Sequence, residues 1–458
     1  MHHTTDLGRG RLFPLICRLA IPTMLAQLVS VLYSIVDRMY IGNIAEIGDM
    51  ALAGVGVCGP IVTLLSSFAS LVGLGGAPIL AMRLGEGRRA EAEKVVSNGF
   101  LILLVLAALL TTVFLLLKDS LLMWFGASED TFGYADTYLT IYTAGTVFAL
   151  FSTGLNSYLI AQGFSGLGML TVVLGALLNI ALDPVFIFVL KLDVAGAAAA
   201  TVISQMASAG VVLFCLLRRK APVRLRLGGV DTRLIRQILA FGLPTFLILS
   251  TDSAILIILN AVLQHYGGPG EGDKLVTCAT IVQSWFLLIS LPMGGITEGA
   301  QPAVSFNFGA GNIERIKKGI LYIALLCLAF CALMTAAAHT GVSALFVRLF
   351  TKDGELGARS VEYIKVFTAM IIPLAVQYTL VDETTALGRV KLSLLCSLLR
   401  KSIFLGGIFA LPALFGAEQT FWCEPIADGI AAVVTSCLFA WRIPGILRRR
   451  AEAGGGGI

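Results

Sequence analysis

The sequence predicts an all-α polytopic membrane protein with twelve transmembrane helices in two pseudo-symmetric six-helix lobes. Three observations predict this fold class: the composition, the spacing of the apolar runs, and a repeat between the two halves of the chain. Hydrophobic residues make up 57% of the 458 positions and charged residues only 13%, about half the charged share of an average soluble domain. So large an excess of apolar side chains indicates a lipid environment.

Twelve apolar runs are long enough to cross a bilayer, because a hydrocarbon core of about 30 Å needs roughly 20 helical residues. The first run is too long for the core of a signal peptide, so we interpret it as the first span. Charged residues, glycines or prolines separate the runs. The predicted spans are 14–41, 51–78, 95–117, 134–160, 168–190, 195–217, 236–262, 276–303, 318–340, 361–386, 392–415 and 424–446.

The connectors between spans differ in charge. Alternate connectors, including 83–94 and 218–235, carry most of the Lys and Arg residues, whereas the intervening set carries few. Cytoplasmic connectors of membrane proteins are enriched in basic residues. We therefore predict a multi-pass membrane protein with both termini in the cytoplasm.

The two halves of the chain resemble each other. LAIPTMLAQLVSVLYSIVD around Pro22 returns as AFGLPTFLILSTDSAILIILN around Pro244, and LGEGRRAEAEKV at 84–95 returns as FGAGNIERIKKG at 308–319. Six spans separate the copies, so they share one orientation, as in transporters whose substrate path lies between parallel repeats. The predicted units are an N-lobe of residues 1–217, a cytoplasmic linker of 218–235, a C-lobe of 236–450 and a disordered tail of 451–458.

The sequence argues against an enzyme or a nucleic-acid-binding protein. The net charge is only +5, and the basic residues form no continuous stripe. GVGVCG at 54–59 matches GxGxxG, but it lies inside a predicted span and has no βαβ context. No Walker A lysine motif, HExxH or GxSxG occurs, and the nine cysteines are spread singly as expected of helix fillers. We expect no cofactor and no structural metal.

Several segments resemble the multidrug and toxic compound extrusion (MATE) transporters. They are IPTMLAQLVSVLYSIVDRMYIG in span one, GEGRRAEA after span two, LNIALDPVFIF in span five and GAQPAVSFNFGAGN after span eight. The resemblance covers essentially the whole chain, and the last segment is most similar to bacterial small-drug exporters, which implies that the protein lies in the bacterial inner (plasma) membrane. It implies the MATE fold of the MOP flippase superfamily, with a V-shaped cavity. It also implies secondary active export of amphipathic organic cations in exchange for protons or sodium ions.

The alternative function is a flippase for a lipid-linked saccharide or another lipid-like substrate. That function favours a strongly basic cavity, whereas the predicted spans contain carboxylates and almost no Arg or Lys. A membrane enzyme or receptor would need a catalytic constellation or a larger extramembrane domain. The expected partners are therefore small amphipathic or cationic drugs and the lipid bilayer, without nucleic acid, and the chain is expected to act as a monomer.

Polar residues within the first six spans predict a cation-coupling site. Asn179 and Asp183 lie four residues apart on one face of span five, and Asp37 in span one and Thr201 in span six lie at similar depths at 1.5 Å per residue. Two such carboxyl groups can hold a proton or exchange it for a sodium ion. Pro184 predicts a kink that frees backbone carbonyls. The resemblance implies a cation site at these positions; the alternative is that the carboxylates cap a helix and face a wet interface.

Asp252 is a second candidate, for substrate binding or coupling. It lies near the middle of span seven with no local cation to pair, eight residues after Pro244, where many MATE proteins carry an acid. A hydrogen-bonded structural role is the alternative. The family's acidic residue of span ten would fall near Gln377, which favours the N-lobe for coupling.

Polar residues expected to line the cavity or to join helices are Gln27, Tyr138, Asn156 and Gln205. Acidic residues expected to be interface charges beside Lys and Arg are Glu298, Asp382 and Glu383.

Overall fold

The computed structural model describes residues 7–8, 10–44, 47–125, 127, 129–218, 223–226, 228–268, 271–351 and 353–454. Throughout these ranges the chain is helical or irregular and contains no strand. Ten helices are long and apolar enough to span a membrane, and two bent helix pairs raise the number to twelve if each pair is one span. The predicted fold class is confirmed.

The helices follow one another with short connections, in the order α1 (Leu12–Gly42), α2 (Gly48–Gly85), α3 (Arg89–Trp124), α4 (Glu129–Ala144), α5 (Thr146–Leu150), α6 (Asn156–Ala161), α7 (Ser165–Pro184), α8 (Asp193–Leu217), α9 (Thr232–Gly267), α10 (Glu271–Gly309), α11 (Ile313–His339), α12 (Gly341–Val347), α13 (Gly354–Phe367), α14 (Ile371–Ala386), α15 (Val390–Phe415) and α16 (Cys423–Gly454). Two π-helical turns, Phe151–Leu155 and Val185–Val189, and a 3₁₀ turn, Ala417–Trp422, complete them. The bent pairs are α4 with α5–α6 and α13 with α14, at 60° and 48°.

The sequence repeat is visible in the backbone of the connectors. Gly87 and Gly311 hold equivalent positions in the two copies, and their φ angles are 74° and 73°. Gly163 and Gly388 form a second such pair, at 87° and 74°. Only glycine adopts this left-handed region without steric cost. The same turn chemistry therefore ends corresponding helices in both halves.

Two hydrophobic cores hold the helices together. The first consists of buried residues between Ile41 and Ile238, and the second of buried residues between Leu259 and Leu447 together with Leu7–Ala20. The first half of α1 therefore packs in the second core, and the start of α9 packs in the first. We call the six spans from α1 to α8 the N-lobe and those from α9 to α16 the C-lobe.

Two helices, α9 and α16, extend across the ends of the predicted units. The segment 218–235 contains the start of α9, where the Asp231 side chain accepts hydrogen bonds from the N–H groups of Arg233 and Leu234, a helix N-cap. Residues 219–222 and 227 of this segment lie outside the described residues. The predicted tail begins inside α16, because Ala and Glu are good helix formers and the helix ends only at Gly454. Residues 455–458 are likewise not described.

The lobes contact each other at the end of the bundle that carries the basic connectors. A Cβ atom built on Gly75 of α2 would lie 2.2 Å from the Ile238 carbonyl oxygen of α9, and one built on Gly85 would lie 1.9 Å from the Phe306 oxygen of α10. Thr23 of α1 donates a hydrogen bond of 2.6 Å to the Gly295 carbonyl. Backbone contacts this close require glycine, and they close the space between the lobes at this end, which we call the floor.

Arg450 in α16 joins the two lobes below the floor. Its guanidinium donates to the carbonyl oxygens of Phe308 at 2.9 Å and Gly309 at 2.6 Å, at the end of α10. The same group lies 3.2 Å from the Glu86 carboxylate, at the end of α2. A cation is favourable at a helix C-terminus, where carbonyl groups lack helical partners. The last helix of the C-lobe thereby ties an N-lobe connector to α10.

Candidate functional site

A cavity of about 450 Å³ lies above the floor, between the lobes. Side chains from α1, α2, α6, α7, α8, α9 and α10 line it, and most of them are apolar, hydroxyl or amide groups. Within the described parts of the chain, Glu298 is its single charged lining residue. A wall of this kind suits an amphipathic molecule, with hydrogen-bonding groups and one acidic side chain available to it.

The four residues predicted as a cation site come together beside this cavity. The Asn179 side-chain amide on α7 donates to the Asp183 carboxylate at 3.1 Å and to the Thr201 hydroxyl of α8 at 3.3 Å. The Asp37 carboxyl group of α1 lies within hydrogen-bond reach of the Asp183 carboxyl group. Asp183 is fully buried, and Asn179 and Thr201 also line the cavity. Three helices thus bring two carboxyl groups, an amide and a hydroxyl to one point.

Several oxygens of this cluster have no hydrogen-bond partner among the residues that the structure describes. They are Oδ1 of Asp37, Oδ1 of Asn179 and Oδ2 of Asp183. Buried carboxylate oxygens are costly unless a donor or a cation meets them. When two carboxyl groups are in contact, the repulsion between their negative charges disfavours ionisation of both. A proton on one of them, or a cation bound between them, removes this repulsion. The arrangement can therefore hold one proton or one monovalent cation.

The other predicted polar residues of the N-lobe fall into two groups. Gln27, Asn156 and Gln205 line the cavity. The Asn156 amide donates to the Gly168 carbonyl at 3.4 Å, so this residue also joins α6 to α7. Tyr138 does not line the cavity: it is buried and stacks on Tyr142, with ring centroids 6.2 Å apart. Tyr142 in turn accepts a hydrogen bond of 3.4 Å from Gln205.

The expected kink at Pro184 takes the form of a wider helical turn. Pro184 ends α7, and the π-helical turn Val185–Val189 follows it directly. Because proline has no N–H group, the carbonyl four residues earlier loses its helical donor. The change in helix type falls next to Asp183, so the carboxyl group lies where the backbone ladder is interrupted.

The structure corrects the description of Asp252. This residue was expected to have no cation nearby, but its carboxylate pairs with the Lys401 ammonium group. Lys401 lies 149 residues later in the chain, on α15, which packs against α9. The pairing depends on the packing of two distant spans, and local sequence therefore carried no sign of it.

The expectation that the spans hold almost no buried Arg or Lys is wrong for α15. Arg400 is buried in this helix, and its guanidinium donates to Asp428 at 2.7 Å and pairs with Glu424, both on α16. Oδ2 of Asp428 has no partner in the described part of the chain. The adjacent Arg and Lys residues inside an apolar run were a visible signal, because charges in a span are costly unless they are paired.

A second acidic cluster lies at the floor and was also misassigned. The residues Glu298, Asp382 and Glu383 were expected to be interface charges beside Lys and Arg, yet none forms an ion pair within the described ranges. Thr297 donates to the Asp382 carboxylate at 2.5 Å, and Gln301 donates to the Asp382 carbonyl at 2.9 Å. Glu383 is fully buried, with both carboxyl oxygens unpartnered among the described residues. Glu298 lies on α10 and the other two acids lie near the end of α14, so the packing of these two helices brings the three acids together.

Similarity to known proteins extends over both halves of the chain. The sequence profile of the family described as MatE matches residues 22–185 and 244–406, once in each half. The chain is similar to the multidrug export protein MepA of Staphylococcus haemolyticus, with 25% identity over 428 residues and 92% of each chain covered. It is also similar to MepA of Staphylococcus aureus strain N315, with 23% identity over 434 residues and 93% of each chain covered.

Solved structures share the fold. A crystal structure of MATE in complex with MaL6 superposes with a TM-score of 0.90 at 23% identity, covering 98% of this chain and 100% of that one. The outward-facing conformation of a multidrug resistance MATE family transporter gives the same TM-score and identity, with 98% and 99% covered. A MOP superfamily transporter from Pyrococcus furiosus also gives 0.90. Since the profile matches most of both halves, the chain belongs to the MATE family of membrane transporters.

Proposed function

We propose that the protein is a secondary active multidrug exporter that exchanges amphipathic organic cations for protons or sodium ions across the bacterial plasma membrane. The observation that carries the proposal is the buried contact between the Asp37 and Asp183 carboxyl groups. This pair can take up one positive charge, release it, and take it up again. A titratable or cation-binding pair beside a transport cavity is what ion-coupled transport requires.

The cavity supports the choice of substrate class. Its single charged lining residue in the described part of the chain is the acidic Glu298, and an acidic apolar cavity favours cationic amphipaths over anionic ones. The relatives from Staphylococcus are named multidrug export proteins. The alternative substrate, a lipid-linked saccharide, carries phosphate groups that basic side chains recognise, and no described Lys or Arg lines this cavity.

Exchange requires that drug and coupling ion favour different states of the protein. Asp37 lies on α1, which also contributes Thr23 to the floor, so a charge change at the carboxyl pair can repack a helix that holds the lobes together. The antagonism between the two ligands must then be reciprocal. For a coupling free energy of about 1–3 kcal/mol, each ligand weakens the other roughly 5- to 150-fold.

Efflux from proteoliposomes tests this function. A fluorescent organic cation loaded into the vesicles should leave when a proton gradient or a sodium gradient is imposed, and the two gradients are applied separately to identify the coupling ion. Asp119, an exposed acid, provides the Asp119→Asn control, which should transport normally. Efflux that is indifferent to both gradients contradicts coupled export.

A further inference from the structure

We propose that Lys401 is a tethered competitor of cationic substrates: its ammonium group occupies the Asp252 carboxylate and must leave before a substrate cation can bind there. Lys401 would then determine which cations the protein accepts. The inference rests on the proposed function, because it concerns the substrate class of the same cavity.

Asp252 lies on the face of α9 that borders the cavity. Thr245 and Leu249 line the cavity, and Asp252 follows them by seven and three residues, which is the spacing of one helix face. The distance from Thr245 along the helix is roughly 10 Å. The Asp252 side chain is 45% exposed. Asp252 itself is not among the lining residues; it lies on the same helix face one turn beyond Leu249, where its exposed carboxylate can meet a charged group that extends from the cavity.

Lys401 reaches this carboxylate from the opposite helix. It lies eleven residues after the start of α15 at Val390, roughly 16 Å along the helix, and its side chain is 18% exposed. A lysine ammonium is a compact charge on a flexible stem, so it can swing away and return. It thereby resembles a monovalent organic cation that is attached to the protein itself.

The neighbouring Arg400 shows what a structural ion pair looks like in this helix. Its guanidinium is buried and bonded to Glu424 and Asp428, so it is held in place by two acids. Lys401 has one acid, and both members of its pair remain partly exposed. The two adjacent cations therefore differ in how easily they can move, and Lys401 is the one that a ligand can displace.

The N-lobe site and the Lys401–Asp252 pair differ in which cation meets the carboxyl groups. Neither Asp37 nor Asp183 has an ion pair with Lys or Arg in the described ranges, so a cation that neutralises them must come from solution. In the C-lobe the Lys401 ammonium group is the cation that meets Asp252. An attached group acts at an effective concentration of the order of millimolar or higher, so an incoming cation must bind well enough to exceed it.

Binding to the purified full-length protein tests the proposal. The probes are tetraphenylphosphonium, a permanent monovalent cation, and triphenylphosphine oxide, an uncharged molecule of related shape. Lys401→Met should tighten tetraphenylphosphonium binding about tenfold and leave triphenylphosphine oxide binding unchanged. Lys391→Met, an exposed lysine at the start of the same helix, is the matched control and should change neither. Unchanged binding of the neutral probe also shows that the variant is folded.

A double-mutant cycle separates competition from long-range repulsion. If Lys401 competes for Asp252, Lys401→Met should tighten cation binding less than about twofold in an Asp252→Asn background, because no carboxylate remains to be freed. An equal effect in both backgrounds, or no effect in either, overturns the proposal. Transport assays keep the two proposals apart. A wild type that binds the cation without exchanging it for protons or sodium contradicts the function alone, whereas coupled export that is insensitive to Lys401→Met, with unchanged binding, contradicts the competitor alone.

Discussion

At the scale of single residues, the surroundings of Asp183 limit how its carboxyl group can carry a charge. It is fully buried, receives one hydrogen bond from Asn179, and leaves Oδ2 without a partner in the described structure. Asp37 approaches it from another helix with an unpartnered oxygen of its own. The charge state of either acid therefore depends on the other, and a change to one should disable the pair.

We predict that Asp37→Asn abolishes coupled export without unfolding the protein. Asparagine keeps the shape of the side chain and can still donate to Asp183, but it cannot exchange a proton for another cation. The measurement is gradient-driven efflux in proteoliposomes, with protein amount and melting temperature matched to wild type. Wild-type efflux from the variant would contradict the prediction.

That the four N-lobe residues come together could be predicted from the sequence, but the contacts of the C-lobe acids could not. Asn179 and Asp183 share a helix face by spacing alone, and the depth of Asp37 and Thr201 follows from helix rise. The partner of Asp252 depends on how α15 rotates against α9, and the four-residue rule says nothing about contacts between distant spans. The burial of Glu383 likewise depends on how distant helices pack, which local spacing does not show.

At the scale of helices, the positions of the spans followed from hydropathy, whereas their breaks did not. The described helices extend beyond most predicted spans, because helical structure continues into the polar connectors. Span ten is broken between Phe367 and Ile371. Pro373, which lacks an N–H group, could have indicated this break, because it leaves the carbonyl four residues earlier without a helical donor.

The crossing of α2 and α9 depends on a glycine. We predict that Gly75→Ala forces these helices apart, because its Cβ would meet the Ile238 carbonyl oxygen at 2.2 Å. Overpacking of this kind costs typically 1–3 kcal/mol. Electron–electron double resonance between spin labels at Ala90 and Lys318, exposed residues beside the floor, should show a population with longer distances.

Gly59→Ala on the same helix is the control for this substitution. A Cβ atom at Gly59 would meet no atom within 4 Å, and alanine favours helix by about 1 kcal/mol. This variant should keep the wild-type distance distribution and melt no earlier. Identical behaviour of the two alanine variants would mean that the glycine contact does not hold the floor closed.

At the scale of the whole molecule, Arg450 forms contacts between the lobes that opening of the floor would break. It bonds to α10 and to the Glu86 connector of the other lobe. We predict that Arg450→Ala lowers the ratio of closed to open molecules about tenfold, equivalent to about 1.4 kcal/mol, within the usual range for hydrogen bonds to charged groups. The same two spin labels report the change.

Arg449 provides the comparison for Arg450. It is exposed on the same turn of α16, and Arg449→Ala removes the same charge without touching the floor. Its distance distribution should match wild type. A shift of equal size in both variants would point to the charge of the C-terminal segment rather than to the contact with Glu86.

The orientation in the membrane is a further prediction at this scale. A cysteine at Val230, which is exposed in the connector between the lobes, should react with an impermeant thiol reagent only after the cytoplasmic side is made accessible. A background without the nine native cysteines gives the unlabelled baseline. Labelling on intact cells would reverse the assignment of the basic connectors.

The packing of α1 in the second core has a consequence for how the protein is made. Residues Leu12–Ala20 leave the ribosome before their partners in the second core, which lie beyond Leu259. The first span can pack against α7 of its own half, but this part of it lacks its second-core partners until more than half of the chain has been synthesised. Conversely, Leu234 and Ile238 of the second half complete the core of the first. Neither half has a full set of packing partners until the other has been inserted, so biogenesis ends with a joint docking step of both lobes.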